Sequence, residues 1–149
     1  MLRDVVFERG ILANVRVLKG DWRRVRVAGT RATGLELGEA QLLDVTFEDA
    51  KLDYASFRNA RLERVIFRNC RLDESDFGGA RLTSVTFEHC PLVGGSFSAA
   101  KLKDVELRGC DLEGISGAAG LRGAGMPVGD ALANLTVLAA AAGVRLLDE

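Results

Sequence analysis

Three cysteines are the residues best able to do chemistry in this sequence, because they recur at a fixed interval of twenty residues: Cys70, Cys90 and Cys110. Thiols at one spacing could hold a metal ion or undergo redox chemistry. The same interval, however, also holds Thr30 and Ala50, and a buried cysteine packs as a small apolar residue. Sulfur atoms that project in parallel also have poor geometry for a disulfide. We therefore interpret the cysteines as core residues and expect no metal and no other cofactor.

The other candidates for catalysis are weaker. The only histidine, His89, shares its interval with Asp49 and Asn69, two typical turn residues, and we interpret it as a solvated turn residue. No pattern brings a histidine, a carboxylate and a nucleophile together, and a glycine-rich phosphate-binding loop is absent. The sequence therefore predicts a protein that is not an enzyme.

Composition narrows the classes of partner and location. The net charge is -1, which indicates neither a nucleic-acid-binding protein nor an acidic mimic of nucleic acid. The longest apolar stretch, residues 131–142, is about 12 residues long, whereas a membrane span needs about 20. The first residues carry both charge signs and lack the apolar core of a signal peptide. We expect a cytoplasmic protein with no membrane contact.

The dominant pattern is a period of five residues. Every fifth residue from Leu2 to Leu112 is apolar, over 23 consecutive positions. This period is neither the 3.6 of an α-helix nor the 2 of a flat strand, so the backbone must turn a corner every five residues.

A second period of twenty residues gives the number of corners. Residues twenty apart are alike, and one such set consists of Val5, Val25, Val45, Val65, Val85 and Val105. We call a set of residues spaced by twenty a column, and twenty successive residues a coil. The sequence therefore predicts an all-β solenoid, a right-handed four-sided parallel β-helix. Each side places a large and a small residue inward and leaves three outward.

Several five-residue units resemble a known repeat. The units Ala50–Tyr54, Ala60–Arg64 and Ala80–Ser84 are similar to the A-(D/N)-L-x-x unit of the pentapeptide-repeat family, and the resemblance extends over residues 2–116. Residues 14–39 depart from the unit, and we expect an irregular or distorted coil there.

The resemblance also suggests two functions. Repeat solenoids of this kind present extended surfaces to partners, so we expect a non-catalytic scaffold for an unidentified protein. Some similar proteins imitate duplex DNA and bind DNA gyrase, which gives protection of the quinolone-resistance type, and this is the alternative. Six coils would make a rod of roughly 28 Å, and a faithful DNA mimic of that length would carry about 16 negative charges. The charge of this chain therefore disfavours mimicry.

The chain changes character after the repeats. We predict that residues 1–116 form the β-helix and that residues 117–149 form a Gly/Ala-rich connection and one C-terminal helix. Pro127 and Gly143 mark the ends of this helix. An apolar stripe runs along it, formed by Leu132, Leu135, Leu138, Ala139 and Ala142. Two roles for the stripe remain open: it caps the open end of the core, or it makes the homodimer contact that similar proteins often make through C-terminal helices.

Outward charges suggest a partner surface. One column stacks three like charges, those of Arg61, Arg81 and Lys101. Two further cations, Arg64 and Lys103, lie on the same side of the solenoid, and the net charge of that side is +3. Such a surface could bind an anion or an acidic partner, or it could be an ordinary solvated face. Direct nucleic-acid binding is unlikely on the sequence, since interleaved aromatic residues are missing. In another column we expect a ladder of ion pairs along Glu48, Arg68, Glu88 and Arg108.

Overall fold

A computed structural model describes residues 1–149 as a parallel β-helix of about six coils. Seven strands form one sheet, and each strand pairs in parallel with the next in chain order. Their bounds are β1 Leu2–Glu8, β2 Asp21–Ala28, β3 Gln41–Glu48, β4 Arg61–Arg68, β5 Arg81–Glu88, β6 Lys101–Arg108 and β7 Ala124–Gly125. From β1 to β6 each residue pairs with the residue twenty positions later, as Val45 pairs with Val65. This register confirms the predicted solenoid.

The backbone turns at a left-handed residue in every fifth position. Residues 4, 9, 14 and so on up to 114 all have a positive φ angle. Two sides of each coil form the long strands, and the other two are joined by isolated bridges such as Lys51 to Arg71. Successive coils therefore stack corner on corner.

The interior is a continuous apolar core of 34 buried residues. Phe67 stacks between Phe47 and Phe87, with ring centroids 5.0 Å and 4.9 Å away and planes within 4° of parallel. Phe57 and Phe77 form a second stack, and the edge of Phe57 meets the face of Phe67 at 5.5 Å and 89°. Offset and edge-to-face aromatic pairs contribute about 0.5–1.5 kcal/mol beyond their area.

The expectation of a distorted coil at residues 14–39 was wrong. Strand β2 is as long as β3 and keeps the same register to it. Trp22 is only 2% exposed, and Ala32, on the facing side of the coil, leaves it space. Gly20 adds room, because a Cβ there would lie only 3.0 Å from Val17 Cγ1 and 3.3 Å from the Trp22 indole nitrogen. Compensation in volume thus keeps this coil regular.

The C-terminal region contains several short elements instead of the single predicted helix. A 3₁₀ helix, Ala118–Leu121, precedes β7, and two α-helices follow: α1 Val128–Ala133 and α2 Leu135–Ala141. None of these helices has the length and apolar composition that a bilayer-spanning segment requires. Leu121 and Ala139 are buried, and Val137 packs against the core.

Asn134, between α1 and α2, ends the backbone hydrogen-bond ladder. Its Oδ1 accepts from the Leu112 N–H at 3.0 Å, and its Nδ2 donates to the Cys110 carbonyl at 3.1 Å. Asp130 Oδ2 accepts from the Gly109 N–H at 2.7 Å. In the earlier coils these backbone groups bond to the next coil, as the Leu92 N–H does to the Asp111 carbonyl. Two side chains therefore replace the backbone of a further coil.

The predicted apolar stripe covers the end of the core only in part. Ala139 of the stripe is buried, and Asn134 and Val137 cover the core beside it. Leu138 is half-buried, whereas Leu132 and Leu135 are exposed on the outer surface of α1 and α2. The role of the stripe as a homodimer contact stays a prediction.

Truncation of Phe67 tests the stacked core. Phe67→Ala should lower the free energy of unfolding by about 3–5 kcal/mol, because the stacked rings on both sides prevent collapse of the cavity. Phe67→Leu, which copies Leu107 of the same column, should cost less than about 1.5 kcal/mol. Urea unfolding followed by circular dichroism measures both, and a loss below about 1 kcal/mol for the alanine variant would contradict the packing.

Removal of the Asn134 amide tests the side-chain cap. Asn134→Ala leaves the Leu112 N–H and the Cys110 carbonyl without partners, and an unsatisfied buried group costs about 1–3 kcal/mol. We expect at least that loss in urea unfolding. Thr136→Ala, an exposed change on the neighbouring helix, should stay within about 0.5 kcal/mol of the parent protein. Equal effects of the two changes would show that Asn134 does not terminate the ladder.

Candidate protein-binding surface

Three cations stack directly on one another at the starts of β4, β5 and β6. Arg61 pairs in register with Arg81, and Arg81 pairs with Lys101. Neighbouring strands lie about 4.8 Å apart, so the three side chains leave the sheet at that spacing. All three are exposed, and like charges in direct opposition across strands are destabilising.

Neighbouring acids do not pair with this column. Glu63 lies 3.0 Å from Arg64, and Asp104 accepts a hydrogen bond from the Ser84 hydroxyl at 2.9 Å. Neither carboxylate forms a salt bridge with the column, so no neighbouring acid pairs with its three charges. Lys103, on the same side, is likewise exposed and without a salt bridge.

Arg64 differs from the other predicted surface cations because its charge is already used. Its Nε donates to Asp44 at 2.7 Å, and its Nη1 lies 3.0 Å from Glu63. The hydrogen bond from Arg64 lowers the pKa of the Asp44 carboxyl. Arg64 is therefore committed to intramolecular pairs at a corner of the solenoid.

The structure adds Arg122, which the sequence reading missed. Strand β7 pairs Ala124 with Val105, a spacing of nineteen instead of twenty. This register brings Arg122 to the position next to Lys103, and Arg122 is exposed and unpaired. The change in spacing after Gly114 hid this residue from a search at intervals of twenty. We define the basic face as Arg61, Arg81, Lys101, Lys103 and Arg122.

The basic face contains a shallow groove of about 230 Å³ between β5 and β6. Its lining combines three of these cations with the Thr83 hydroxyl and with Leu82 and Leu102. Three positive charges beside a hydroxyl suit the carboxylates of an extended acidic segment.

A second column of cations lies on the opposite side of the coil. Arg31, Lys51 and Arg71 pair by isolated bridges. Asp53, Asp73 and Glu74 surround them, and Arg71 approaches Asp53 at 4.0 Å. Charge of both signs therefore covers this side, which makes the column a matched control for the basic face.

The predicted ladder of ion pairs forms only in part. Arg68 Nε donates to Glu88 at 2.9 Å. Glu48 instead binds Arg26 at 3.1 Å, and Arg108 binds Glu106 at 3.2 Å. Each of these arginines has more than one acid in reach, so the side chains pair outside the column. The expectation of one continuous ladder was wrong.

The cysteines lie inside the β-helix and donate to backbone carbonyls. Cys70 Sγ lies 3.3 Å from the Phe47 carbonyl oxygen, and Cys90 Sγ lies 3.3 Å from that of Phe67. Burial raises the pKa of the Cys110 thiol to about 12. Cys110 therefore remains protonated, whereas the hydrogen bond with Cys90 lowers the pKa of the Cys70 thiol. No three His, Cys, Asp or Glu side chains form a cluster that could hold a metal ion.

These observations define a class of protein: a parallel β-helix with a filled core and a charged outer surface. A family model for the pentapeptide repeat region matches residues 1–77 and 60–118. The chain belongs to the pentapeptide-repeat family. None of the curated proteins matches the sequence significantly.

Solved structures share this architecture at low sequence identity. A pentapeptide repeat protein from the thylakoid lumen of Arabidopsis thaliana is 18% identical, with a TM-score of 0.62 over 67% of this chain and 70% of that chain. The protein Rfr23 from the cyanobacterium Cyanothece 51142 is 14% identical, with a TM-score of 0.57 over 75% and 87%. QnrB1, a plasmid-mediated fluoroquinolone resistance protein, is 18% identical with a TM-score of 0.42 over 98% and 97%. These likenesses extend to the fold alone.

The Asp53 carboxylate should make the free energy of unfolding depend on pH. Its Oδ1 is buried without a hydrogen-bond partner, and desolvation raises the pKa of this carboxyl. A raised pKa in the folded state favours the native protein below the unfolded pKa near 3.9, and this contribution is lost as pH rises. Asp53→Asn should therefore stabilise the protein at pH 7 by up to about 0.5 kcal/mol.

That gain should shrink when urea unfolding is repeated at about pH 3, where Asp53 is protonated in both states. Glu113→Gln, an exposed change on the same side, should show no such pH-dependent gain. A loss of stability for Asp53→Asn at pH 7 would mean that its contact with Arg71 outweighs desolvation.

Proposed function

We propose that this protein is a non-catalytic scaffold and that its basic face binds an acidic segment of a partner protein. The observation that carries the proposal is the set of five exposed cations without a salt bridge on one rigid surface. The solenoid holds the backbone of these residues in place before binding, so no backbone has to be ordered on association, which favours it.

A protein partner fits the basic face better than a nucleic acid does. Sequence-independent binding of single strands uses aromatic platforms on which the bases stack. The exposed aromatic residue, Tyr54, lies on the side of the control column instead. The basic face is also compact, with two rows of cations about 7 Å apart along the strand direction. A segment with a few closely spaced carboxylates matches these dimensions.

The gyrase-binding alternative receives less support. A mimic of duplex DNA would need about 16 negative charges over the length of six coils, whereas the chain has a net charge of -1 and carries a basic face. Inhibition of gyrase supercoiling at low micromolar concentration would favour this alternative over the acidic-segment proposal.

We further propose that the exposed stripe of α1 and α2 is a self-association surface. Leu132 and Leu135 lie on the outside of the cap, where large apolar side chains would be covered in an assembly. The cytoplasmic location expected from the sequence remains a prediction.

The binding proposal is tested with a fluorescein-labelled peptide of twelve glutamates as a probe. The variant Arg61→Gln/Arg81→Gln/Lys101→Gln copies Gln41 of the same column, so the fold should be retained. Anisotropy at low salt should show about a tenfold or greater loss of affinity for this variant. The control variant Arg31→Gln/Lys51→Gln/Arg71→Gln loses the same charge, and its loss should be several-fold smaller.

Two results would contradict the proposal. Equal losses in the two variants would show that net charge, and not the basic face, attracts the peptide. Tighter binding of a single-stranded oligonucleotide of equal charge would make nucleic acid the better class of partner.

Lys103→Thr, which copies Thr83, extends the test. Its addition to the triple variant of the basic face should weaken peptide binding further.

A further inference from the structure

Exposed apolar side chains are concentrated at the two ends of the solenoid. Twelve large apolar residues are exposed, of which five fall in residues 1–18 and six in residues 128–147. The exception is Tyr54. The long sides carry charged and small residues instead, so the surfaces suited to burial in an assembly are the ends.

The first coil carries apolar residues in outward positions that later coils fill mainly with polar ones, although Ile66 lies in the column of Val6. Ile11 shares its column with Arg31 and Lys51, and it is 73% exposed. Val6 shares its column with Arg26 and Thr46 and is 57% exposed. Leu18, at 51% exposure, occupies the position that Ser98 has four coils later. A coil whose outward positions face only solvent does not require apolar side chains at these positions.

The backbone of the first coil is rich in unused acceptors. In the second coil the carbonyls of residues 31, 33, 36 and 38 accept hydrogen bonds from the coil before. The equivalent carbonyls of residues 11, 13, 16 and 18 have no backbone partner, and on these two sides of the coil the edge also presents the N–H groups of residues 11 and 16. Two such edges facing each other would bring together more acceptors than donors.

At the other end, an apolar stripe runs along the outside of α1 and α2. Leu132 of α1 and Leu135 of α2 are 68% and 51% exposed, and Val128 at the start of α1 adds a third apolar side chain that is 78% exposed. This is the self-association surface proposed above, and the present inference rests on that proposal.

The charges of the two ends are opposite. Residues 1–20 contain four cations and two anions, a net of +2. Residues 109–149 contain two cations and five anions, a net of -3. Contact between unlike ends is therefore attractive, whereas contact between two like ends is repulsive.

We propose that copies of this protein stack head to tail, with the α1–α2 stripe of one copy on the first coil of the next. The proposal joins the two apolar ends and their opposite charges in one contact. Such a contact uses different surfaces of the two copies and leaves one free end of each kind, so it produces open chains of subunits. A long rod would thereby repeat the basic face at regular intervals.

Two variants and their mixture test this arrangement by analytical ultracentrifugation. The head variant, Val6→Thr/Ile11→Lys/Leu18→Ser, copies residues of the same columns in later coils and should fold. The tail variant is Leu132→Gln/Leu135→Gln. The parent protein should form a concentration-dependent series beyond the dimer, and each variant alone should be monomeric. An equimolar mixture should give a one-to-one dimer, because one intact end of each kind remains. Tyr54→Ser should associate like the parent protein.

Other outcomes would overturn the stacking. A head variant that still dimerises, with a monomeric tail variant, would show a symmetric contact between C-terminal stripes and leave the self-association proposal intact. A tail variant that still dimerises would show a symmetric contact between first coils. A parent protein that remains monomeric at concentrations of several hundred micromolar, or a mixture without a dimer, would also rule the stacking out.

Discussion

The fold depends on a left-handed backbone corner at every fifth residue. Seventeen of these corners are made by residues other than glycine, including Arg, Glu and Tyr side chains. The left-handed conformation costs such residues roughly 1–2 kcal/mol each, so no short piece of this chain could hold its shape alone. Parallel hydrogen bonds between coils and the stacked phenylalanines offset that cost, and both require that every corner fall in register. Stability is therefore a property of the stack, with each coil supporting its neighbours.

The same constraint separates the residues that specify the fold from those available for function. Two inward positions of each side must pack, and the corner must bend, but the outward positions meet only solvent and the coils above and below. Arg61, Arg81 and Lys101 can therefore oppose one another at a tolerable cost, since the strands that carry them are fixed by Leu62, Val65 and Phe67 beneath. A scaffold of this kind can carry repulsive charge on its surface without a change in its core, and such unused charge is what an acidic partner would neutralise.

Much of the fold could be predicted from the sequence, because the periods of five and twenty directly record which residues lie inside and which residues stack. The columns of valine and phenylalanine predicted the register of β1 to β6 correctly. The coil at residues 14–39 was misjudged, since unusual residues suggested distortion although Ala32 and Gly20 together accommodate Trp22. Details of the surface were less predictable. Arg26 binds Glu48, and Glu106 binds Arg108, so both compete with the partners expected in the ladder. Arg122 does not appear in a search at intervals of twenty, because the spacing between β6 and β7 is nineteen. A C-terminal cap was among the predicted roles, but Asn134 and Asp130 were not predicted to make it, because they imitate backbone groups and their residue types carry no periodic signal.

This parallel solenoid has two unlike ends, because more N–H groups of a coil donate to the coil after it than to the coil before it. At the C-terminal end the ladder finishes in donors such as the Gly109 and Leu112 N–H groups, and two side chains of α1 and the α1–α2 junction accept from them. At the other end the first coil presents mainly carbonyl acceptors, and its outward side chains are apolar where later coils are polar. Hydrogen-bond direction and net charge differ between the two ends, whereas exposed apolar side chains are common to both. Because Asp130 and Asn134 already accept from the C-terminal donors, the opposite net charges are what favours contact between unlike ends, and a symmetric pairing would have to work against the repulsion of like charges.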